Sequence, residues 1–378
     1  MKIGVSAFAG DGGQSGIGQY LAQIISRLPA QATDSECVVF LTQKAAGELG
    51  LSVPGLRLVT VPDWVERPIV NVAWHLLMLP IMLRRYGCDV VFLPAGNRRL
   101  GFWYGIPSVG TVHDLAQLHL ADKYDGWRML YAKKLLPALI GKLTRIISVS
   151  AATESDLVSE LGLDARDIRT IPNGFDHDRF GKTDKVSARA RVSSRWGIND
   201  PYILYVARLE HPGKNHVRLL EALSALKARG NSIHLVLAGG AWTGAEAIYE
   251  RVRELDVQAQ VTFTGFAPDE DLPDLYAAAE AFVFPSLFEG FGIPPLEAMM
   301  SGIPVCASNR ASIPEVVGSA GVLFDPEDPT DIANAIESVV SDQDLRLQLV
   351  EKGYSRARQF SWDTAAGRVM DVLREAAA

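Results

Sequence analysis

The sequence predicts an α/β protein with two doubly wound parallel sheets, one in each half of the chain. Short apolar runs rich in β-branched residues alternate with segments of helical periodicity, and the alternation starts again after the midpoint. Near-continuous apolar strands separated by helices are typical of parallel sheets that are covered on both faces. A length of 378 residues suits two domains that each bury a core.

The predicted elements follow this alternation along the chain. In the first half the strands are Lys2–Ala7, Cys37–Leu41, Asp89–Leu93, Ser108–Val112, Arg145–Val149 and Ile168–Ile171. In the second half they are Tyr202–Val206, Ile233–Ala238, Val261–Phe263, Ala281–Phe284, Pro304–Ala307 and Gly321–Phe324. Helical spacing predicts helices at Gly18–Leu28, Trp127–Ile140, Ala152–Leu161, Val217–Ala228, Ala245–Leu255, Leu345–Gln359 and Asp363–Ala376.

The break between the halves is predicted at Gly181–Asn199. This segment is polar and charged, lacks a long apolar run and follows a Pro-Asn-Gly turn signal, so we interpret it as a linker. The predicted domains are residues 1–181 and 182–360. Ligands of doubly wound sheets bind beyond the carboxyl ends of the strands, so we expect the two domains to face each other across a cleft.

The charges are distributed unevenly along the chain. In total, 37 Lys and Arg against 44 Asp and Glu give a net charge of −7. Residues 1–181 hold 18 basic and 17 acidic residues, and the remainder holds 19 and 27. Within the first half, residues 65–145 carry 11 basic and 5 acidic residues. The overall balance disfavours general nucleic-acid binding, whereas the basic stretch can meet an anionic surface.

The cysteines and the apolar runs indicate a cytoplasmic protein. Cys37, Cys88 and Cys306 are scattered without metal-site spacing, which favours reduced thiols in the core. The apolar stretch Ile69–Leu83 contains polar residues and a proline, and a spanning helix needs about 20 apolar residues. The first ten residues are too short an apolar segment for a signal peptide. We expect a protein that is at most peripheral to the inner face of a membrane.

A glycine-rich turn, residues 10–18, follows the first predicted strand. Glycines let the backbone approach a phosphate or a sugar, and the N-terminus of the next helix attracts negative charge. The glycine spacing departs from the G-x-G-x-x-G pattern of dinucleotide-binding proteins, which disfavours a dehydrogenase. An ordinary strand-to-helix turn remains the alternative.

Arg208 and Lys214 lie in the loop that follows the first strand of the second half. A guanidinium offers paired hydrogen bonds and an ammonium offers a compact charge, so the two together suit a diphosphate. Solvated surface side chains are the alternative.

Glu289 and Glu297 form the strongest signal in the sequence. Glu289 lies in a glycine-rich loop after a buried strand, and Glu297 lies in the next helix, which a proline pair begins. A carboxylate in such a loop can accept hydrogen bonds from sugar hydroxyls, the loop N–H groups can hold a phosphate, and the second carboxylate can hold a ribose diol. For Glu289 alone, a favourable interaction with the helix dipole is the alternative.

The segments EGFGIPPLEAMMSGIPVCAS and VARLEHPGKN resemble the retaining glycosyltransferases of family 4, whose GT-B fold has two Rossmann-like domains. The resemblance covers nearly the whole chain, and the stretch SIPEV is similar to mannosyltransferase members. Further matches occur in the family's order at TVHDL, ISVSAATESDL, IPNGFDHDRF, FTGFAPDEDLPDLYAAAEAFVFPS and FSWDTAA.

The resemblance implies a role for each matching residue. Arg208 and Lys214 would bind the donor diphosphate, Glu289 the hydroxyls of the transferred sugar, and Glu297 the nucleotide ribose. His113 would lie beside the donor sugar from the first domain. The last helix, within residues 361–378, would cross back onto the first domain. The backbone groups expected to complete the donor site belong to Gly12, Gly13, Gly290, Phe291, Gly292 and Ile293.

Transfer with retention of configuration requires one of two routes. Either a carboxylate nucleophile forms a covalent intermediate, or the acceptor attacks the anomeric carbon from the face from which the leaving group departs. The resemblance implies no nucleophile beneath the anomeric carbon, so we expect front-face attack with the departing phosphate accepting the acceptor's proton. It implies no metal and no other cofactor. We interpret the D-x-D match Asp176-His177-Asp178 as a turn.

The basic stretch within residues 65–145 is the part of the sequence that bears on the acceptor. Residues 127–137 mix cations with bulky apolar groups, and Arg84-Arg85 and Arg98-Arg99 add charge nearby. This composition suits an interfacial helix on anionic lipid, with a core-facing helix that has a solvated basic face as the alternative. Related enzymes often act on lipid-linked or lipopolysaccharide acceptors.

The sequence therefore predicts a hexosyltransferase that moves mannose from GDP-mannose to a glycan or a polyprenyl-linked or lipopolysaccharide acceptor. A UDP- or dTDP-sugar transferase, a nucleotide-sugar epimerase on the same fold and a non-catalytic nucleotide-sugar-binding subunit are the alternatives. Nucleic acid is not an expected partner.

Overall fold

The computed structural model describes residues 1–8, 15–31, 34–51, 53–96, 100–119 and 135–378. The chain divides into two compact units, Met1–Gly174 with Ser361–Ala378, and Phe175–Phe360. Each unit is built around a sheet in which the paired strands are parallel. These two parallel-sheet α/β units confirm the predicted fold class.

The sheet of the first unit contains the predicted strands with ends that differ by at most one residue, and one further strand at its edge. The strands are β1 Lys2–Ser6, β2 Glu36–Thr42, β3 Leu56–Val61, β4 Val90–Leu93, β5 Ser108–Val112, β6 Arg145–Ser148 and β7 Ile168–Thr170. Their order is β3-β2-β1-β4-β5-β6-β7. The sequence did not predict β3, because at the edge its side chains are mostly exposed or half-buried and it lacks a continuous apolar run.

The helices of the first unit lie between these strands, and its core includes the crossover from β3 to β4. Trp74, Leu79 and Leu83 of this crossover pack in one buried cluster with Phe40 and Val91 of the sheet. The helical segments are α1 Gly16–Gln31, α2 Gln43–Glu48, a 3-10 turn Asp63–Glu66, α3 Pro68–Ala73, a π-helical segment Trp74–Met78, α4 Leu79–Tyr86, α5 Ala116–His119, α6 Leu136–Ile140, α7 Ala151–Ser159 and a 3-10 turn Ala165–Asp167.

The second unit repeats the α/β pattern with strands in the order β10-β9-β8-β11-β12-β13. The strands are β8 Tyr202–Val206, β9 His234–Ala238, β10 Val261–Gly265, β11 Ala281–Phe284, β12 Val305–Ser308 and β13 Gly321–Phe324. The helices are α8 Lys185–Trp196, α9 His216–Ala228, α10 Ala245–Glu254, a 3-10 turn Gln258–Gln260, α11 Leu272–Ala278, α12 Pro294–Met300, α13 Ile313–Val317, α14 Pro329–Ser341 and α15 Gln343–Ala357.

The interpretation of residues 181–199 as a linker is wrong, because α8 occupies most of this segment. Asp184 accepts hydrogen bonds from the Val186 and Ser187 N–H groups and so caps the helix. Only small side chains such as Ala188 and Val192 are buried on its inner face. On its outer side, Arg191 forms an ion pair with Asp274 of α11 at 2.6 Å. A helix held by small apolar contacts and ion pairs has no long apolar run to reveal it.

The structure divides the units after Gly174, whereas the sequence predicts the boundary after Gly181. The intervening residues pack on the second unit. The Phe180 ring lies edge-on to the Tyr276 ring of α11, with 5.6 Å between their centroids. A Cβ on Gly181 would lie 2.4 Å from the Met300 carbonyl oxygen, so the backbone also runs close to α12.

The chain ends in α16, Trp362–Ala377, which belongs to the first unit. The buried Trp362 ring packs against the Tyr20 ring of α1 at 6.0 Å. Within the described ranges, no helix is both long and apolar enough to cross a bilayer.

The prediction of core thiols is confirmed. Cys37, Cys88 and Cys306 are free and buried. Burial raises the pKa of Cys37 and of Cys88 to about 11 and raises the pKa of Cys306 as well, so these thiols are protonated at neutral pH.

Gly174→Ala is expected to lower the free energy of unfolding by about 1–3 kcal/mol, the usual range for an overpacked site. A Cβ there would lie 2.2 Å from the Trp362 nitrogen and 2.5 Å from the Ser361 carbonyl carbon, and backbone atoms cannot rotate away as a side chain can. Urea unfolding measures the effect.

The matched control is Gly47→Ala in α2, since nothing lies within 4 Å of its added Cβ. Alanine is favoured over glycine inside a helix by about 0.5–1 kcal/mol, so this variant should be as stable as the wild type or slightly more stable. Equal stability of the two variants would contradict the close approach at Gly174.

Candidate functional site

The candidate site lies at the carboxyl edge of the second sheet. The loops after β8, β11 and β13 meet there, because parallel strands all end at the same edge. These loops contain Arg208 and Lys214, Glu289, and residues 325–328 respectively. The structure therefore brings together segments that are far apart in the sequence.

Lys214 and Glu289 form an ion pair, with 2.6 Å between the Lys214 Nζ and the Glu289 Oε1. Their side chains are only 21% and 15% exposed. A pair that is largely removed from water must remain paired, since removing one partner leaves an uncompensated charge. An ammonium can bind a phosphate, and carboxylate oxygens can accept hydrogen bonds from hydroxyls.

Asn215 fastens the three loops to one another. Its buried side-chain amide donates to the Pro285 carbonyl at 3.0 Å and to the Pro326 carbonyl at 2.7 Å. Its backbone is left-handed, with φ of 59°, which asparagine tolerates better than most residues. Two amide hydrogens and two carbonyls on different loops make Asn215 a three-way connection next to Lys214.

Two further hydrogen bonds hold the Lys214 segment in place. The Tyr205 hydroxyl donates to the Lys214 carbonyl at 2.8 Å, and the Leu287 N–H donates to the Gly213 carbonyl at 3.0 Å. The Tyr205 ring is fully buried beneath the loop. The backbone next to Lys214 is therefore bonded both to β8 and to the loop that contains Glu289.

The Glu289 loop is anchored by Ser312, a fully buried residue at the start of α13. The Ser312 hydroxyl lies 2.9 Å from the Glu289 carbonyl and 2.8 Å from the Phe291 carbonyl. The loop turns at Gly292, which has a φ of 94° that favours glycine. As predicted, α12 begins at the proline pair, with Pro294 as its first residue.

Glu297 lies one turn into α12 and accepts a hydrogen bond from the Tyr276 hydroxyl at 2.8 Å. Burial raises the pKa of Glu297 above its usual range, while the Tyr276 bond and the Arg179 charge oppose the shift. Sequence reasoning did not identify Tyr276 or Ser312, because a tyrosine in an apolar helix and a serine in a turn resemble ordinary packing residues.

Arg208 lies in the loop after β8, and its side chain is 53% exposed. Its Nη2 lies 3.4 Å from the Glu210 carboxylate, and its guanidinium carbon lies 4.8 Å from the centre of the Trp242 ring. Trp242 lies in the loop after β9. This loop is joined to the loop after β8 by the hydrogen bond that the Trp242 N–H donates to the Leu209 carbonyl at 3.0 Å. Cation–π contact restrains the guanidinium while leaving its edge in solvent, and Trp242 is a contact that the sequence pattern did not reveal.

His113 belongs to the first unit, where it follows β5 and is buried. Its Nε2 donates to the Pro94 carbonyl at 2.7 Å, since a carbonyl can only accept. The Tyr20 ring packs edge-on against the imidazole at 4.7 Å. These contacts fix the ring at the carboxyl end of β5.

Several of the predicted residues are not among those that the structure describes. Gly12 and Gly13, Arg98 and Arg99, and residues 127–134 lie outside the described residues. Residues 176–178 form the predicted turn, in which the Asp178 N–H donates to the Asp176 carboxylate at 3.0 Å.

Comparisons with known families match both units. The family described as "Glycosyltransferase Family 4" matches residues 14–179. The family described as "Glycosyl transferases group 1" matches residues 187–356. The two matches together extend over most of both units.

Individual proteins that resemble this chain in sequence or in fold support the same family assignment. The chain is 31% identical over 270 residues to the O-antigen chain mannosyltransferase B of Escherichia coli, covering 71% of this chain and 70% of that protein. It is 28% identical over 375 residues to a GDP-mannose-dependent alpha-(1-6)-phosphatidylinositol monomannoside mannosyltransferase of Mycobacterium tuberculosis, covering 96% and 95%. The fold is similar to that of Anabaena Alr3699/HepE, with a TM-score of 0.76, 20% identity and coverage of 99% and 100%.

Asn215→Gly is expected to lower the free energy of unfolding by about 2 kcal/mol or more, because a buried carbonyl without a donor costs about 1–3 kcal/mol. Glycine keeps the left-handed backbone, so the variant removes only the amide. The matched control is Asp256→Gly, which has φ of 51° and a side chain 90% exposed. Urea unfolding should leave the control near wild type, and similar losses in both would refute the role of the amide.

His216, at the start of α9, should make the protein less stable in mild acid. Burial lowers its pKa to about 3, whereas an unfolded histidine titrates near 6.5. The unfolded chain therefore binds a proton that the folded chain excludes, and stability falls as the pH drops from about 6.5 towards 3.

Between about pH 7 and about pH 5 this effect corresponds to about 2 kcal/mol, since one pKa unit is worth about 1.36 kcal/mol. Urea unfolding of the wild type and of His216→Gln at both pH values measures it. The variant should lose less stability on acidification, and parallel losses would show that His216 is not responsible.

Proposed function

This chain belongs to the family 4 glycosyltransferases and has the GT-B fold, and we propose that it transfers mannose from GDP-mannose with retention of configuration. The observation that carries the proposal is the largely buried ion pair between Lys214 and Glu289 at the carboxyl edge of the second sheet. A cation that can bind phosphate and a carboxylate that can accept hydrogen bonds from sugar hydroxyls lie side by side there. A donor in which a sugar is joined to a diphosphate needs both groups.

The donor diphosphate is proposed to bind Lys214 and Arg208. A bound phosphate shares the Lys214 ammonium with Glu289, whose carboxylate then accepts hydrogen bonds from the transferred sugar. The Arg208 guanidinium is held at one face by Trp242, so its N–H groups remain directed outward for a second phosphate oxygen. The N–H groups of Gly290, Phe291, Gly292 and Ile293 follow Glu289 and complete the proposed contacts.

Glu297 is proposed to bind the nucleotide ribose. Its carboxylate is desolvated, as the raised pKa reflects, and Tyr276 already donates to Oε2. The two hydroxyls of a ribose supply the further donors that a partly buried carboxylate favours.

The proposed chemistry is front-face attack. The acceptor hydroxyl attacks the anomeric carbon, the bond to the diphosphate oxygen breaks, and that departing oxygen accepts the hydroxyl proton. Lys214 and Arg208 stabilise the charge that develops on the diphosphate, so catalysis depends on positioning and electrostatics. His113, Gly12 and Gly13 are proposed to contact the donor from the first unit. No metal and no other cofactor is part of the proposal.

GDP-mannose is preferred because the relatives at 31% and 28% identity are described as mannosyltransferases, one of them GDP-mannose-dependent. The same descriptions support a glycan or lipid-linked acceptor. We accordingly propose a cytoplasmic enzyme that contacts an anionic membrane through the region of residues 65–145. A UDP- or dTDP-sugar donor remains the alternative.

Donor choice and site assignment are tested with one set of variants. GDP-mannose should raise the melting temperature of the wild type and be hydrolysed slowly, whereas UDP- and dTDP-sugars should do neither. Lys214→Ala and Glu289→Ala should each lower kcat/KM for GDP-mannose by about 100-fold or more, the usual effect of removing one stabilising group. The matched control is Lys182→Ala, whose ion pair with Asp178 is exposed and which should retain full activity.

Each contrary outcome has a separate meaning. Stabilisation by a UDP- or dTDP-sugar alone would overturn the donor. Activity that survives both site variants would overturn the residue roles. Recovery of an epimerised nucleotide sugar, in place of free mannose or an elongated glycan, would overturn transfer itself.

A further inference from the structure

We propose that Glu210 is an internal counter-ion of Arg208, which competes with the donor diphosphate and thereby promotes release of the nucleotide product. The proposal rests on the proposed function, because it takes Arg208 and Lys214 as the cations that bind the diphosphate. Glu210 acts through Arg208 and is therefore a positioning residue. Its role concerns how strongly the site holds its nucleotide before and after transfer.

The backbone after β8 places Arg208 and Glu210 on the same side of the chain. Between them, Leu209 pairs with Ala241 as in a parallel sheet, and its N–H donates to the Gly240 carbonyl at 2.9 Å. In an extended segment, side chains two residues apart project from the same face. The loop therefore holds a cation and an anion side by side, with Nη2 of Arg208 3.4 Å from Oε2 of Glu210.

The two members of this pair differ in their access to solvent. The Arg208 side chain is 53% exposed, whereas that of Glu210 is 3% exposed. A buried carboxylate needs a positive partner, because removal of that partner leaves an uncompensated charge. A phosphate that binds the exposed edge of Arg208 must therefore share the guanidinium with Glu210, which remains buried.

The site contains the same arrangement twice, because Lys214 is paired with Glu289 at 2.6 Å. Two cations and two carboxylates give these four side chains no net charge, so a bound diphosphate adds negative charge that they do not balance. Negative charges a few ångströms apart disfavour one another. Glu289 is proposed to bind hydroxyls of the transferred sugar, whereas Glu210 is assigned no group of the donor. The charge of Glu210 therefore opposes nucleotide binding without a compensating contact to the sugar.

This opposition is greater for the product than for the donor. In the nucleotide sugar, the terminal phosphate is an ester of the sugar and carries one negative charge. Transfer breaks the bond between the anomeric carbon and the phosphate oxygen, and that oxygen keeps the electron pair and accepts the proton of the acceptor hydroxyl. A terminal phosphate has a second pKa of about 6, so the proton passes to water and the free nucleotide carries one more negative charge. Glu210 therefore weakens binding of the free nucleotide more than binding of the donor.

The test is calorimetric titration of the full chain with GDP, UDP and dTDP, with guanosine as a ligand that has no phosphate. Glu210→Gln should bind GDP about tenfold more tightly than the wild type, because a like charge is removed a few ångströms from the phosphates. Guanosine should bind both proteins equally. In slow hydrolysis KM reports donor affinity, so KM for GDP-mannose should fall as well, by less than the Kd of GDP falls.

Two control variants accompany the test. Glu221→Gln in α9 makes the same change at a carboxylate that pairs with Arg251 of α10 at 2.8 Å and is 28% exposed, and it should bind GDP as the wild type does. Glu210→Asp keeps the charge and should remain close to the wild type in GDP binding. Replacement of the buried Glu210 charge by a neutral amide of the same shape should not lower the melting temperature, since Arg208 remains solvated.

Three outcomes would overturn the proposal. Glu210→Gln could bind GDP no more tightly than the wild type, and weaker binding would mean that Glu210 aims the guanidinium at the phosphate. It could bind guanosine more tightly as well, which would indicate a change of shape rather than of charge. Glu210→Asp could match Glu210→Gln, which would exclude charge as the cause.

Failure of the proposed function gives a different result. If the wild type binds UDP or dTDP in place of GDP, the proposed donor is wrong, and the same comparison of variants is made with the nucleotide that binds. A wild type that binds none of the three nucleotides would overturn both proposals. A wild type that hydrolyses GDP-mannose, with no gain of GDP affinity in Glu210→Gln, would overturn only the role of Glu210.

Discussion

The buried amide of Asn215 is the connection on which the candidate site depends. Parallel strands bring the loops after β8, β11 and β13 to one edge, but strand pairing does not fix loops relative to one another. Asn215 does so by donating to the Pro285 and Pro326 carbonyls. The adjacent residue is Lys214, whose ammonium reaches Glu289 of the second loop. The position of the ion pair therefore follows from the hydrogen bonds beside it.

The two candidate carboxylates of this unit are both largely shielded from water. Glu289 is balanced by an ammonium, and Glu297 is balanced by a neutral tyrosine hydroxyl and the nearby charge of Arg179. These partners differ in strength, so the two carboxylates are suited to different ligands. A carboxylate paired with a lysine can share that lysine with an arriving phosphate, whereas one held by a hydroxyl still favours further neutral donors.

Charged residues have different surroundings in two regions of the molecule. On the second unit, Glu280 forms ion pairs with Lys185, Arg189 and Arg346 and so connects helices α8 and α15 to the start of β11. On the crossover of the first unit, arginines stand beside exposed leucine and isoleucine without an ion pair among the described residues. The net charge of −7 gives no hint of this difference.

The sequence by itself determined the two parallel sheets and placed Lys214 and Glu289 beyond strand ends. Both conclusions are local, because a buried strand needs a continuous apolar run and the residues after parallel strands share one edge. Tertiary structure decided the rest. The edge strand β3 and the helix α8 lack long apolar runs, since one is half-exposed and the other is held by small residues and ion pairs. The side chains that position the site are recognisable only through partners distant in the chain, and they are Asn215, Trp242, Tyr276 and Ser312.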